Sequence, residues 1–399
     1  MQHAARPRGA APARWAPLFV GVLVVLLALP APAGAVAPTG PGAQPATPAP
    51  APAAQWYQAV LGLAAAQRIS RGAGTVVAVI DGGVDATSPQ LRGQLVRGAA
   101  AAPDAAPDGW RDDDPDGHGT AMAGIIAGRA TADAPEVRGI APDARILPVS
   151  TGAEADSTEV AVAIHRAIDL GADVINLSLG SAGAATADER EAVGYALAHD
   201  VVVVASAGNI DTGDTDTGDI DTGDTDINSP ANIPGVVAVT GSTAHGDFWH
   251  GSVRGAQAVI AAPAPGVRAP VPTRVSPDGL DTGSGTSNSA AIVSGVVALI
   301  RSARPELDAP NVIERLLATA RDAGPPGRDV EFGFGIVDPV AALTRPVPVV
   351  TRNPLLAVPS RWGAPGQPPA GASADAAGPA GASGPVSYSH LRAHSPALH

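Results

Sequence analysis

Several stretches of this chain are apolar with hardly a break. Residues 75–80, 174–179 and 201–205 are of this kind and are rich in Val and Ile. A strand with one wet face alternates polar and apolar residues. A strand apolar on both faces belongs in a covered, parallel sheet. Residues 144–149 read as a further strand. Helical patterns lie between and after these runs. Residues 119–130 form a small-residue helix, and residues 158–170 have helical spacing that stops at Gly171. Residues 286–302 read as a largely buried helix, and Asp308-Ala309-Pro310 caps an amphipathic one reaching about Arg321. Strands alternating with helices predict an α/β fold, a doubly wound parallel sheet flanked by helices in a single domain. Ligands of such sheets bind beyond the carboxyl ends of the strands, where Asp81 and Asn209 fall.

Composition narrows the options. With 3 % aromatic residues, the core must be built of Ala, Val, Leu and Ile. A net charge of −13 argues against a nucleic-acid partner, which needs a basic face. The absence of Cys excludes disulfides and thiolate metal sites, and is compatible with export for a domain of this size.

Residues 1–35 have the layout of an export signal: Arg6, Arg8 and Arg14, an apolar run over 18–29, then Ala33-Gly34-Ala35 as a small-x-small cleavage site. The alternative is an uncleaved membrane anchor, for which the run is short. Residues 36–54 are an Ala/Pro-rich linker with no room for a folded prodomain. The folded domain is expected over 55–343. Residues 344–399 are Pro, Ala and Gly rich and are expected to be disordered.

Three segments carry the chemistry, in the order Asp, His, Ser: Val79-Ile80-Asp81-Gly82-Gly83, Asp116-Gly117-His118-Gly119-Thr120-Ala121 and Ser284-Gly285-Thr286-Ser287-Asn288. A serine after a tight Gly turn at a helix start, an imidazole able to cycle protons near neutrality, and a carboxylate at a strand end are the parts of an acyl-transfer site. These segments resemble those of the subtilisin-like serine proteases, the subtilases. The resemblance implies a serine endopeptidase in which Ser287 is the nucleophile, His118 the general base and Asp81 the group that orients His118. It also implies that Asn209, in Ala207-Gly208-Asn209, donates to the oxyanion. Ser178, Leu179 and Gly180 would bind an extended peptide as an added strand. Ala205, Ser206, Ala207 and Gly208 would line the other side of the specificity pocket, where small residues suggest room for a side chain.

Gly333-Phe334-Gly335-Ile336-Val337-Asp338-Pro339 and Ala290-Ala291-Ile292-Val293 look most like the mycosin branch of the family, linked to type VII secretion. That implies a peptide or protein substrate, a membrane secretion complex as partner, and a place outside the cell or in its envelope. Two departures stand out. Gly82 occupies a position usually Thr or Ser, which threatens a hydrogen bond to Asp81. Ala291 stands where most subtilases have Pro. They keep open a non-catalytic scaffold role beside a free-standing degradative protease.

Residues 211–227 hold an Asp-Thr-Gly-Asp repeat. It reads as a solvated loop, with a calcium loop as the alternative, since clustered Asp oxygens suit a hard cation. No cofactor is required by the acyl-transfer chemistry. Asp112, Asp113 and Asp114 are likewise read as solvated, His165 as an ordinary surface residue, and Asp85 as a turn residue.

Overall fold

The structure is a computed structural model that describes residues 55–210 and 226–356. The strands in chain order are β1 (Val76–Asp81), β2 (Ala99–Ala100), β3 (Arg145–Ser150), β4 (Val174–Leu177), β5 (Val202–Ser206), β6 (Val237–Ser242) and β7 (Ile260–Pro263). They form one seven-stranded sheet in the order β2-β3-β1-β4-β5-β6-β7, every neighbouring pair parallel. β8 (Val267–Pro270) and β9 (Leu280–Gly283) make a separate antiparallel ribbon.

Helices cover the sheet: α1 (Trp56–Val60), α2 (Leu63–Ile69), α3 (His118–Ala127), α4 (Ser157–Asp169), α5 (Ala187–Ala198), α6 (Thr286–Ala303), α7 (Ala309–Thr319) and α8 (Pro339–Thr344). α3 packs against α6, and α6 crosses β4 to β7. α4 and α5 pack together, with α4 on β1, β2 and β3 and α5 on β5. The expected doubly wound architecture is the observed one. The order reverses about β1, whose neighbours are β3 and β4, so the strand ends there open toward a crevice.

The core is aliphatic. Val77 to Ile80, Val202 to Ala205 and Ala290 to Val293 are all sealed from solvent. Packing is close enough that a Cβ on Gly295 of α6 would lie 2.5 Å from Ile140 Cβ. α5 was not foreseen, although Thr186 and Glu189 form a capping box whose Thr-x-x-Glu spacing is visible in the sequence. β7 escaped because Ile260-Ala261-Ala262-Pro263 is poor in β-formers. β4 ends at Leu177 rather than Leu179, because Ser178 turns out of the sheet toward α6.

The ordered chain does not stop at 343. Arg315 donates to the Arg345 carbonyl at 3.0 and 2.8 Å, and the Asn311 amide exchanges hydrogen bonds with Val350 at 3.0 and 2.8 Å. Asn353 Nδ2 donates to the Gly235 carbonyl at 3.2 Å. These side-chain anchors, rather than apolar periodicity, hold residues 345–356. The expected export signal, the expected linker, most of the acidic repeat and the rest of the tail lie outside the described residues.

Candidate active site

Asp81 is the last residue of β1 and is fully buried. Its backbone pairs with Ser150 of β3, and the preceding Ile80 pairs with Leu177 of β4. Its Oδ2 lies 2.8 Å from His118 Nδ1, and its Oδ1 accepts the Gly82 N–H at 2.9 Å. A carboxylate facing Nδ1 holds the proton there, which leaves Nε2 as the basic nitrogen. The Gly82 departure has a physical reason: a Cβ there would lie 2.8 Å from the Asp114 backbone nitrogen. The Gly82 backbone itself supplies a hydrogen bond to Asp81.

His118 opens α3, with its side chain 10 % exposed. Gly117 precedes it at φ 72°, where a Cβ would also meet Pro272 Cδ at 2.2 Å. Gly119 lets the helix lie on the loop after β1, since its Cβ would come within 2.0 Å of the Gly83 carbonyl oxygen. These two approaches explain Gly-His-Gly.

The expectation of a solvated Asp112–Asp114 loop is overturned. Asp112 and Asp114 are 5 % and 1 % exposed; Asp113 alone turns outward, to Arg111. Asp114 Oδ1 accepts the His118 N–H at 3.2 Å, and Asp112 Oδ2 accepts the Thr120 N–H at 2.8 Å. They cap a helix whose own N-cap, Gly117, has no side chain. Burial lowers the proton affinity of His118, but Asp81, Asp114 and Asp112 outweigh it and raise the value to about 9.

Ser287 lies in the first turn of α6. Its hydroxyl donates to the Ser178 carbonyl at 3.0 Å, and the Ser178 hydroxyl donates to the Ser287 carbonyl at 2.9 Å. Asn209, just past β5, accepts the Thr286 N–H at 2.9 Å and the Thr286 hydroxyl at 3.0 Å through Oδ1. Only oxygen can accept from an N–H, so the amide orientation is fixed. Nδ2 is thereby turned toward Gly285, where a Cβ would sit 3.4 Å from it. His118, Ser287, Asn209, Asp116, Met122 and Gly285 line one cavity.

The residues expected to bind substrate sit at the strand ends beside this cavity. Ser178, Leu179 and Gly180 follow β4, while Ala205, Ser206, Ala207 and Gly208 end β5 and lead to Asn209. Asn228 comes between the two segments, and sequence reasoning missed it. Its N–H donates to the Ala207 carbonyl at 3.0 Å. A Cβ on Gly208 would lie 2.6 Å from Asn228 Nδ2, and one on Gly180 would lie 3.3 Å from Asn228 Cβ. The expected room between these walls is therefore partly filled. No local motif marks Asn228.

His165 pairs with Glu191 on the surface at 2.8 Å, and Asp85 accepts the Thr87 N–H at 2.8 Å within a turn. Among the described residues no cluster of three or more His, Asp or Glu could hold a metal ion, and residues 211–225 lie outside them. Nor is any described helix long and apolar enough to cross a membrane.

The subtilase family profile matches residues 72–335. Mycosin-1 of Mycobacterium tuberculosis is 34 % identical over 73 % of this chain and 74 % of its own length. Mycosin-3 of the same organism is 33 % identical over 84 % and 83 %. The solved structure of the MycP3 protease from the type VII (ESX-3) secretion system superposes with a TM-score of 0.59 at 34 % identity, covering 73 % of this chain and 88 % of that one. MycP1 with its N-terminal propeptide removed gives 0.61 at 32 % identity, covering 73 % and 98 %. Fold, strand-end site and sequence agree: the chain belongs to the subtilase family of serine proteases.

Proposed function

We propose that this protein is an exported endopeptidase that cuts peptide bonds through an acyl-enzyme on Ser287, in the cell envelope and in association with a type VII secretion complex. The catalytic part of this reading rests on one observation. Buried Asp81 meets His118 at 2.8 Å, and His118 lines one cavity with Ser287 and Asn209.

The chemistry follows from the positions. The Ser287 hydroxyl leaves the Ser178 carbonyl and swings toward His118. Its oxygen attacks the peptide carbonyl carbon while its proton passes to His118 Nε2. Asp81 stabilises the imidazolium without taking the proton. The carbonyl oxygen becomes an oxyanion, which accepts from Asn209 Nδ2 and the Ser287 N–H. His118 then protonates the departing amine as the C–N bond breaks. Water attacks the ester, gives a proton to His118 and releases the acid, and Ser287 recovers its hydrogen. Each step uses side chains, backbone and water, so no cofactor is called for.

Export is supported by the arginines and apolar run of residues 1–35. The secretion link is supported by likeness to the mycosins and to the MycP3 protease of the ESX-3 system. The test is to express the full chain in an actinobacterial host, locate it by fractionation, and map new protein termini in the envelope. Termini present with wild type and absent with Ser287→Ala support the reading. A chain retained in the cytoplasm, or identical termini in both strains, contradicts it.

A further inference from the structure

One buried acid near the site has no part in the mechanism above. Asp112 precedes α3 in sequence and is 5 % exposed. Its Oδ2 accepts the Thr120 N–H at 2.8 Å and the Thr120 hydroxyl at 2.5 Å, and its Oδ1 accepts the Asp114 N–H at 3.1 Å. The Thr120 hydroxyl in turn accepts the Asp85 N–H at 2.9 Å. One carboxylate thus joins the first turn of α3 to the acidic loop and, through Thr120, to the loop that leaves Asp81.

We propose that Asp112 is a positioning residue for His118, holding the first turn of α3 against the loop after Asp81 and setting a further carboxylate behind the imidazole. The proposal rests on His118 being the general base.

All three partners of Asp112 donate to it, so the contacts suit a carboxylate that accepts only. Burial works against that form and raises its proton affinity to about 7, opposed by the Thr120 hydrogen bonds and reinforced by the charges of Asp81 and Asp114. The folded chain therefore binds this proton more tightly than the unfolded chain does. Its contribution to stability falls as pH rises from the ordinary carboxyl range toward about 7. An ionised Asp112 is a burden on the fold under the alkaline conditions in which His118 is a free base. The benefit lies at His118, whose basicity Asp112 helps to raise.

The other charges facing Asp112 are few. Asp81 comes from β1 and Asp114 from the same loop. The Arg274 guanidinium, after β8, donates to the carbonyls of Asp112 and Asp114 at 2.7 and 2.5 Å. Arg274 thereby pins the loop backbone.

The test uses the full chain and compares wild type with Asp112→Asn, Thr120→Ser and Thr120→Val. The rate of inactivation by a fluorophosphonate is followed against pH, the His118 ring protons are titrated by NMR, and melting temperatures are taken at alkaline pH. Asp112→Asn is expected to move the His118 midpoint down. Its alkaline plateau rate should fall about tenfold, through misplacement of the base, since an amide there turns one N–H toward a donor. Thr120→Ser should keep the wild-type curve, and Thr120→Val should lose plateau rate. Superimposable curves for wild type and Asp112→Asn would overturn the proposal. So would a fall in melting temperature and rate with no movement of the midpoint, the mark of a merely structural tie. Should folded wild type fail to react at all, the catalytic reading would fall, and the NMR midpoint would still report on Asp112.

Discussion

The Ser178 and Ser287 residues bond to each other twice: the Ser178 hydroxyl donates to the Ser287 carbonyl at 2.9 Å and the Ser287 hydroxyl to the Ser178 carbonyl at 3.0 Å. The exchange locks the end of β4 to the first turn of α6. Behind it, Asn176 Nδ2 donates to Ser178 Oγ at 3.0 Å, and the Ser294 hydroxyl donates to Asn176 Oδ1 at 2.9 Å. Asn176, Ser178 and Ser294 are buried, so the ladder is rigid as long as each rung is present.

Ser178→Ala removes one rung from this ladder. A buried amide hydrogen and a carbonyl each lose a partner, at a cost of about 1–3 kcal/mol. Urea unfolding should show that loss, and peptidase turnover should fall with it because the Ser287 turn is no longer held.

The pH profile should be shifted to the alkaline side. His118 must be neutral to act as a base, and its proton affinity is raised to about 9, against burial, by Asp81, Asp114 and Asp112. kcat/KM should therefore climb as pH rises through about 9, rather than through the ordinary histidine value of about 6.5. The sign for stability is opposite. A raised histidine contributes fully below its unfolded pKa, and the contribution is lost as pH rises through about 9. Melting temperature should fall as pH rises from about 6.5 to about 9, ahead of the rise in activity centred near 9, and His118→Gln should lessen that fall.

Asn209→Ala should lower kcat by about 10²–10³-fold with little change in KM, as expected of a donor needed mainly in the transition state. Steady-state kinetics on one peptide substrate check this. An effect confined to KM would assign Asn209 to ground-state binding.

Asn228 occupies space between Gly180 and Gly208, so substrates with a small residue on the acyl side of the cut should be preferred. Asn228→Gly should admit larger side chains there. A peptide library cleaved by both forms should show the preference move toward Leu or Phe, by about tenfold or more in relative kcat/KM. An unchanged preference would remove Asn228 from the pocket.

Much of this architecture was legible. The runs at residues 75–80 and 201–205 name a covered parallel sheet because little else accepts that much unbroken apolar surface. Gly117-His118-Gly119 marks a place of close approach, to the Pro272 ring at Gly117 and to the Gly83 carbonyl at Gly119. What escaped depended on distant partners. An Asp run reads as solvated until Arg274, far along the chain, is seen holding its carbonyls and Thr120 its carboxylate. Asn228 has no motif; it is placed by the Ser181–Ser229 bridge and the Ala207 carbonyl. Residues 345–356 look like the rest of the tail and are held by Asn311, Arg315 and Asn353, which carry no periodic signal.

The central claim is that Ser287 is an activated nucleophile served by His118 and Asp81. Treating the folded protein with a fluorophosphonate and reading intact mass, then locating the adduct by peptide mapping, tests it most directly. One adduct per chain on Ser287, absent from Ser287→Ala and strongly slowed in His118→Ala, is the predicted result. Folded wild type that takes up no label, or takes it up elsewhere, would contradict the account.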